Sequence, residues 1–118
     1  MHEVSIASEL IRVATLECNK NGYNKISSIK VAIGKATGVM PEALLFAFNV
    51  LKEGTAAESA ILVIEEIPIK GFCEKCKKEF EGNNSYIVFQ CPFCESFSVN
   101  VVSGKELNII EMEVSDEN

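Results

Sequence analysis

The 118-residue chain contains a single histidine, His2, and no apolar run long enough to cross a bilayer. Its start lacks a basic stretch followed by an apolar run, so we predict a cytoplasmic protein without a secretory signal. We recognise no glycine-rich phosphate loop and no nucleophile–base pair, and we therefore predict that the chain is not an enzyme. Basic residues are also scarce. The chain has eleven basic and seventeen acidic residues, and the resulting net charge of −6 disfavours binding to a nucleic-acid backbone.

The chain is nevertheless rich enough in hydrophobic residues, at 47%, to bury a core. Apolar residues at helical spacing predict a first helix over Val4–Leu16, which Gly22 closes. Alternation predicts a strand over Lys25–Gly34, with Ser28, Lys30 and Ala32 on its more exposed face. A second helix is predicted to begin at Pro41 and to end at Gly54. Its buried stripe is predicted to consist of Leu44, Leu45, Phe48 and Leu51.

Two paired cysteine motifs, Cys73-Glu74-Lys75-Cys76 and Cys91-Pro92-Phe93-Cys94, are separated by fourteen residues. This spacing is typical of a metal site, because each motif directs two thiolates at one ion from a tight turn. Four thiolates suit zinc, or iron in an electron-transfer site, and leave no open position for hydrolysis. Two disulfides are a disfavoured alternative in an intracellular protein. The fifth cysteine, Cys18, is predicted to be a small buried side chain.

Further strands are predicted at Ala60–Ile67 and Glu106–Val114. The fold class is therefore α+β: two helices packed on a small, mainly three-stranded sheet, with an inserted zinc-ribbon-like four-cysteine domain. The predicted boundaries assign residues 1–69 and 104–118 to a discontinuous α/β domain and residues 70–103 to the insertion.

The start of the chain offers a second kind of ligand set. A terminal amine, the backbone nitrogen of His2 and its imidazole can all reach one ion, and the nitrogen or carboxylate of Glu3 could complete a square. Nickel(II) and copper(II) favour such planar nitrogen and oxygen donors, whereas zinc prefers a tetrahedron. From spacing alone, however, an ordinary chain end is the more favoured interpretation of Met1 and His2.

Over residues 1–114 the sequence resembles the HypA/HybF family of nickel metallochaperones, which act in the maturation of NiFe-hydrogenases. The resemblance rests on MHEVSIA, the segment VMPEALLFAF with its following GT, the two CxxC motifs, and SGKELNIIEMEV. It implies transported Ni²⁺ on Met1, His2 and Glu3, and structural Zn²⁺ on the four cysteines. It also implies two partners, the GTPase HypB, which supplies nickel, and the hydrogenase large subunit, which receives it.

The sequence departs from the family pattern in two ways. Some members carry further histidines near the zinc domain and some also serve urease; this chain has none there, which makes a role with urease maturation factors less favoured. Glu95 stands where the family often has glycine, so we expect a left-handed residue and small local strain at that position.

Two other functions are weighed against nickel delivery. A zinc-ribbon module for nucleic-acid or protein interactions is compatible with the cysteine spacing, but the acidic charge and the few aromatic residues argue against nucleic acid. An iron tetrathiolate for electron transfer would make the protein red. If the chain is a nickel chaperone, the exposed face of the first helix is our prediction for its contact with the GTPase.

Overall fold

The computed structural model describes residues 2–82 and 90–116, which form two α-helices, a short 3₁₀ turn and six strands. The two helices and the 3₁₀ turn lie in the first half of the chain, and five of the six strands follow the second helix. The elements are α1 (His2–Lys20), β1 (Lys25–Gly34), η1 (Lys35–Thr37), α2 (Pro41–Leu51), β2 (Ile61–Ile67), β3 (Lys70–Cys73), β4 (Glu79–Glu81), β5 (Val99–Ser103) and β6 (Leu107–Ser115).

The predicted α+β class is confirmed, with two small sheets of three strands each. In the first sheet β1 lies between β2 and β6, so the last strand does return to the first. Gly22 follows α1 with φ of 85°, the left-handed conformation predicted for the residue that closes this helix. In the described part of the chain no helix is long and apolar enough to cross a membrane.

The core beneath the helices is built from small and branched side chains. α1 contributes residues at helical spacing, because only one stripe of the helix faces inward. Fully buried side chains of this region include Ala7, Ala14, Cys18, Ile26, Ile29, Leu44 and Phe48. The prediction that Cys18 is a buried apolar side chain is thus confirmed.

Two details of the predicted core are wrong. Leu45 and Leu51 of α2 are 38% and 37% exposed, and Ala47 is buried in their place. Leu45 lies at the edge of the face that carries Leu44 and Phe48, and Leu51, although on the same side as Leu44, is the last residue of the helix. In β1, Ala32 is 5% exposed, because the last four residues of this central strand are all buried.

The chain divides into two compact units. The first comprises Met1–Val31, Val39–Glu65 and Asn108–Asn118, and the second comprises Ala32–Gly38 and Glu66–Leu107. The second unit thus includes the end of β1 as well as the cysteine segment. Whether residues 70–103 form a domain by themselves stays a prediction.

The second unit is organised around β3, which pairs antiparallel with both β4 and β5. Phe72 lies opposite Glu79, and Cys73 lies opposite Val99. A bulge occurs between Lys70 and the next residue in the pairing of β3 with β5. This sheet places Cys73 at the end of β3, at the point where the chain enters the first cysteine turn.

Two glycines of the second unit are packed backbone to backbone. The N–H of Gly34 donates to the carbonyl of Glu106 at 2.8 Å, and the N–H of Ala36 donates to that of Gly104 at 2.8 Å. A Cβ added to Gly34 would lie 2.0 Å from the carbonyl oxygen of Gly104. No side chain fits in this space, so the sequence needs glycine here for close approach and not for backbone freedom.

Candidate metal centres

The first cysteine turn begins where β3 ends. The N–H of Lys77 donates to the carbonyl of Cys73 at 2.8 Å, and the N–H of Cys73 donates to the carbonyl of Lys78 at 2.9 Å. The N–H of Cys76 points at the Cys73 sulfur, with a nitrogen–sulfur distance of 3.5 Å. Such a bond supports a thiolate, since an N–H dipole stabilises negative charge on sulfur. The chain turns back at Lys77, which has φ of 63°.

The second cysteine turn repeats the same pattern. The N–H of Glu95 donates to the carbonyl of Cys91 at 2.9 Å, and the N–H of Cys91 donates to that of Ser96 at 2.8 Å. The N–H of Phe93 points at the Cys91 sulfur at 3.4 Å. Glu95 has φ of 64°, which confirms the left-handed conformation expected at this position. Lys77 has the equivalent conformation in the first turn, which its sequence does not signal because lysine rarely adopts positive φ.

The two turns bring all four cysteine sulfurs together. Their ligand atoms lie within 4.8 Å of one another. The sulfurs of Cys73 and Cys94 are 3.6 Å apart, as are those of Cys76 and Cys91. In a zinc tetrathiolate with bonds of about 2.3 Å, sulfur–sulfur separations are about 3.8 Å, so the donor set fits a tetrahedral ion. None of the four is paired in a disulfide.

The surroundings of the four thiols lower the pKa of two of them and raise the pKa of the other two. A hydrogen bond from the N–H of Cys76 lowers the pKa of Cys73. Burial raises the pKa of Cys91, but hydrogen bonds from the N–H groups of Cys94 and Phe93 outweigh this effect and bring the pKa to about 7. Burial and the Cys91 thiol raise the pKa of Cys76 to about 12. The Ser96 N–H lowers the pKa of Cys94, yet burial and the Cys73 thiol leave it raised. An ion held by the four sulfurs would bind them as thiolates, so its binding would release the protons that the thiols still carry.

The second candidate centre lies at the start of α1. His2 is the first residue of the helix, and its side chain is 56% exposed. Its Nδ1 atom lies 3.8 Å from a carboxylate oxygen of Glu3, whose side chain is only 15% exposed. Nδ1 is the ring nitrogen that can join the backbone nitrogen of His2 in one six-membered chelate ring. Met1 lies outside the described residues, so the structure places two of the three predicted nickel ligands.

The Glu3 carboxylate has a partner that the sequence did not reveal. Its Oε2 atom accepts a hydrogen bond from the N–H of Met40 at 3.1 Å. Met40 is the residue before α2, where helix N–H groups lack partners within the helix. This bond, with the nearby His2, lowers the pKa of Glu3. Residues 3 and 40 are remote in sequence, and no local pattern signals the contact.

These observations define a class of protein. One donor set is made of four thiols within a folded turn pair, and the other is an exposed set of nitrogen and oxygen donors at the start of a helix. The class is that of metal-binding proteins.

Comparison with known proteins is consistent with this class. Residues 1–114 match the family described as "Hydrogenase/urease nickel incorporation, metallochaperone, hypA". The hydrogenase maturation factor HypA of a Picosynechococcus species is 38% identical over 114 residues, 97% of this chain and 99% of that protein. The factor of Lawsonia intracellularis is 38% identical over 117 residues, with the same coverage.

Solved structures agree with these sequences. The solution structure of the nickel metallochaperone HypA from Helicobacter pylori has a TM-score of 0.69 at 26% identity and covers 98% of both chains. A second HypA solution structure has a TM-score of 0.73 at 28% identity, over 99% of this chain and 98% of the other. The chain belongs to the HypA family of nickel metallochaperones, which act in nickel incorporation into hydrogenase and urease. As predicted, it is a metallochaperone and not an enzyme.

Proposed function

We propose that the chain binds Ni²⁺ reversibly at its N-terminus and delivers it to the large subunit of a NiFe-hydrogenase during maturation. Met1, His2 and Glu3 are the proposed ligand residues, and a HypB-like GTPase is the proposed source of nickel. The absence of further histidines makes hydrogenase the preferred acceptor over urease. Zinc, held by Cys73, Cys76, Cys91 and Cys94, is the proposed structural ion of the second unit.

The observation that carries this proposal is the position of His2. Its imidazole is 56% exposed and its Nδ1 atom lies 3.8 Å from the largely covered Glu3 carboxylate, so an accessible nitrogen donor has an oxygen donor beside it. An ion between them exchanges with solvent and with a partner. The cysteine sulfurs, by contrast, leave no open position once four of them share an ion. Chelation would start from the amine, and His2 Nδ1 would close the second ring. Release would follow protonation or displacement of the same nitrogen.

Nickel titration of the untagged protein by calorimetry tests the proposal. His2→Ala should weaken nickel binding by more than about 100-fold, because a direct ligand matters at least as much as the groups that orient it. Zinc content and the circular dichroism spectrum should not change. Unchanged nickel affinity in His2→Ala would contradict the proposal.

A matched pair of carboxylate variants tests the part of Glu3. Glu3→Gln should weaken nickel binding, whereas Glu9→Gln removes an exposed carboxylate of the same helix that is paired with Arg12 and should have no effect. An uncleaved extension before Met1 should also weaken binding, since it removes the free amine. Metal analysis of the native protein tests the cysteine site: one tightly bound zinc and no colour are expected, and a red iron protein would contradict that assignment.

A further inference from the structure

The outward face of α2 carries three large apolar side chains beside the exposed polar residues Glu42 and Asn49. A helix that packs on a core by one side normally directs polar residues to solvent. In α2, however, Leu45, Phe46 and Val50 are exposed at 38%, 73% and 56%. Phe46 and Val50 are one helical turn apart and lie side by side, with Leu45 on their flank. We refer to these three residues as the α2 patch. Clustered apolar side chains on a surface typically mark an interaction site.

The end of α2 also borders a groove. Leu51 follows Val50 and lines a recess of ≈550 Å³ between the end of α2 and α1, together with Leu16, which is 56% exposed. Ile11 and the turn at Gly54 also border this recess.

Acidic residues stand at both ends of the patch. Glu42, one turn before Phe46, and Glu53, just beyond the end of α2, are exposed. No basic residue lies in the last turn of α2. The neighbouring Lys52 is turned inward, where its Nζ donates to the carbonyl of Ala60 at 3.0 Å. In residues 2–82 and 90–116, neither carboxylate takes part in an ion pair.

The surrounding unit has the same sign of charge. The first unit, which contains α2, has eleven acidic and five basic residues, and the second unit has six of each. The whole net charge of −6 therefore belongs to the unit that carries the α2 patch. This charge acts on every molecule that approaches the patch.

We propose that the α2 patch is a docking surface for a partner protein whose contact face is apolar at its centre and bordered by lysine and arginine. Charge selects this occupant. A second copy of the chain would bring Glu42 and Glu53 against equivalent carboxylates, and nucleic acids or anionic membranes have the same sign as the patch border. The α2 patch is a second candidate surface, and the predicted contact of the exposed face of α1 with the GTPase stays a prediction. The inference rests on the proposed function only in that the partner is a protein of nickel delivery, since docking itself needs no nickel.

Site-specific crosslinking in the native host identifies the occupant. A photoreactive phenylalanine analogue replaces Phe46 in one variant and Phe97 in another. Phe97 is a matched control, because it is 69% exposed but belongs to the second unit. A host protein crosslinked from position 46 and not from position 97 is expected. A product that contains a second copy of this chain, nucleic acid or lipid, or no product specific to position 46, would overturn the proposal.

The captured protein is then purified and its affinity for the chain is measured. Phe46→Ala should weaken binding by about tenfold or more, as expected for a central aromatic contact, while Phe97→Ala should change it less than about twofold. Val50→Ser provides a second variant of the patch. Glu42→Lys combined with Glu53→Lys should slow association and weaken its dependence on salt. Equal affinity of Phe46→Ala, Val50→Ser and the unmodified chain would overturn the proposal.

Nickel titration separates this inference from the proposed function. Phe46→Ala should bind nickel as the unmodified chain does, because Phe46 is not among the proposed ligands. If the patch variants bind the partner normally, the proposal of the docking surface is wrong and the proposed nickel delivery is unaffected. If the unmodified chain binds the partner through the patch but shows no N-terminal nickel site, the proposed function is wrong and the docking surface remains.

Discussion

The two units of the chain hold their metal-binding groups by different means. In the second unit, two turns with the same hydrogen-bond pattern place four sulfurs within 4.8 Å, and Cys73 and Cys91 are buried. In the first unit the proposed nickel ligands lie at the start of α1, where His2 is exposed and the carboxylate of Glu3 accepts a hydrogen bond from the N–H of Met40. The first unit has a core of its own, whereas in the second the buried side chains are few and include cysteines. This difference fits our proposal that one metal ion stabilises the second unit and another binds the first unit reversibly.

Cys91→Ser should produce the largest effect. The second unit should lose its zinc and unfold, because zinc contributes about 10–16 kcal/mol of apparent binding free energy in small structural sites. Nickel binding at the N-terminus should persist. Metal analysis and amide NMR spectra report both units separately.

Cys18→Ala is the control for Cys91→Ser, since Cys18 is a buried cysteine of α1 outside the sulfur cluster. It should keep its zinc. A Cys91→Ser protein with a folded second unit, or one that loses nickel and zinc together, would contradict the division of roles.

Gly34→Ala should have the next largest effect, a loss of folding stability. Its methyl group would meet the backbone of Gly104, which is less able to move than a side chain, so we expect a loss of about 3 kcal/mol. Gly54→Ala is a contrasting change in the first unit. Gly54 has φ of 76° and open space around it, so only the left-handed backbone opposes a side chain, at a cost of about 1 kcal/mol. Urea unfolding gives both free energies, and equal values would show that close approach at Gly34 is unimportant.

Glu95→Gly should stabilise the second unit slightly. The left-handed conformation of Glu95 costs a non-glycine residue about 1 kcal/mol, and part of this returns when glycine replaces it. Lys77→Gly should act in the same way in the first turn. Both changes should slow the loss of zinc to a chelator. Lys75 does not have positive φ, so Lys75→Gly should not slow this loss. Faster zinc loss in Glu95→Gly would count against strain at this site.

The smallest effect concerns the pH dependence of the first unit. The Met40 N–H lowers the pKa of Glu3 from its ordinary value of 4.5, so the unfolded chain takes up this proton more readily than the folded one. The resulting stability is present above about pH 4.5 and is lost as the pH falls through the lower, folded pKa. Thermal unfolding as a function of pH should show this loss in the unmodified protein and not in Glu3→Gln.

Salt distinguishes Glu3 from Glu9 in the same experiment. Arg12 lowers the pKa of Glu9 through a hydrogen bond and an exposed ion pair. At about 1 M salt, where screening acts over about 3 Å, the contribution of Glu9 should fade, while that of Glu3, bound to a backbone N–H, should persist. Equal salt sensitivity would mean that Glu3 acts only as a surface charge.

The features that were predictable from the sequence are those that depend on near neighbours in the chain. The spacing within each CxxC motif predicts a metal site, because both ligands come from one turn. Alternation located β1 over Lys25–Gly34, and Gly22 was correctly assigned its left-handed conformation. His2 stood out since it is the only imidazole, although its interpretation needed the resemblance of the whole chain to a family.

Contacts between distant segments decided the remaining features. Helical periodicity could not separate Leu44, which is buried, from Leu45, which is exposed, because both are leucines and their places depend on where α2 meets the core. The bond from Met40 to Glu3 and the close approach of Gly34 and Gly104 join residues 37 and 70 positions apart. Local propensities specify helices, strands and ligand turns, but a side chain's burial and partners depend on long-range packing that no short segment encodes.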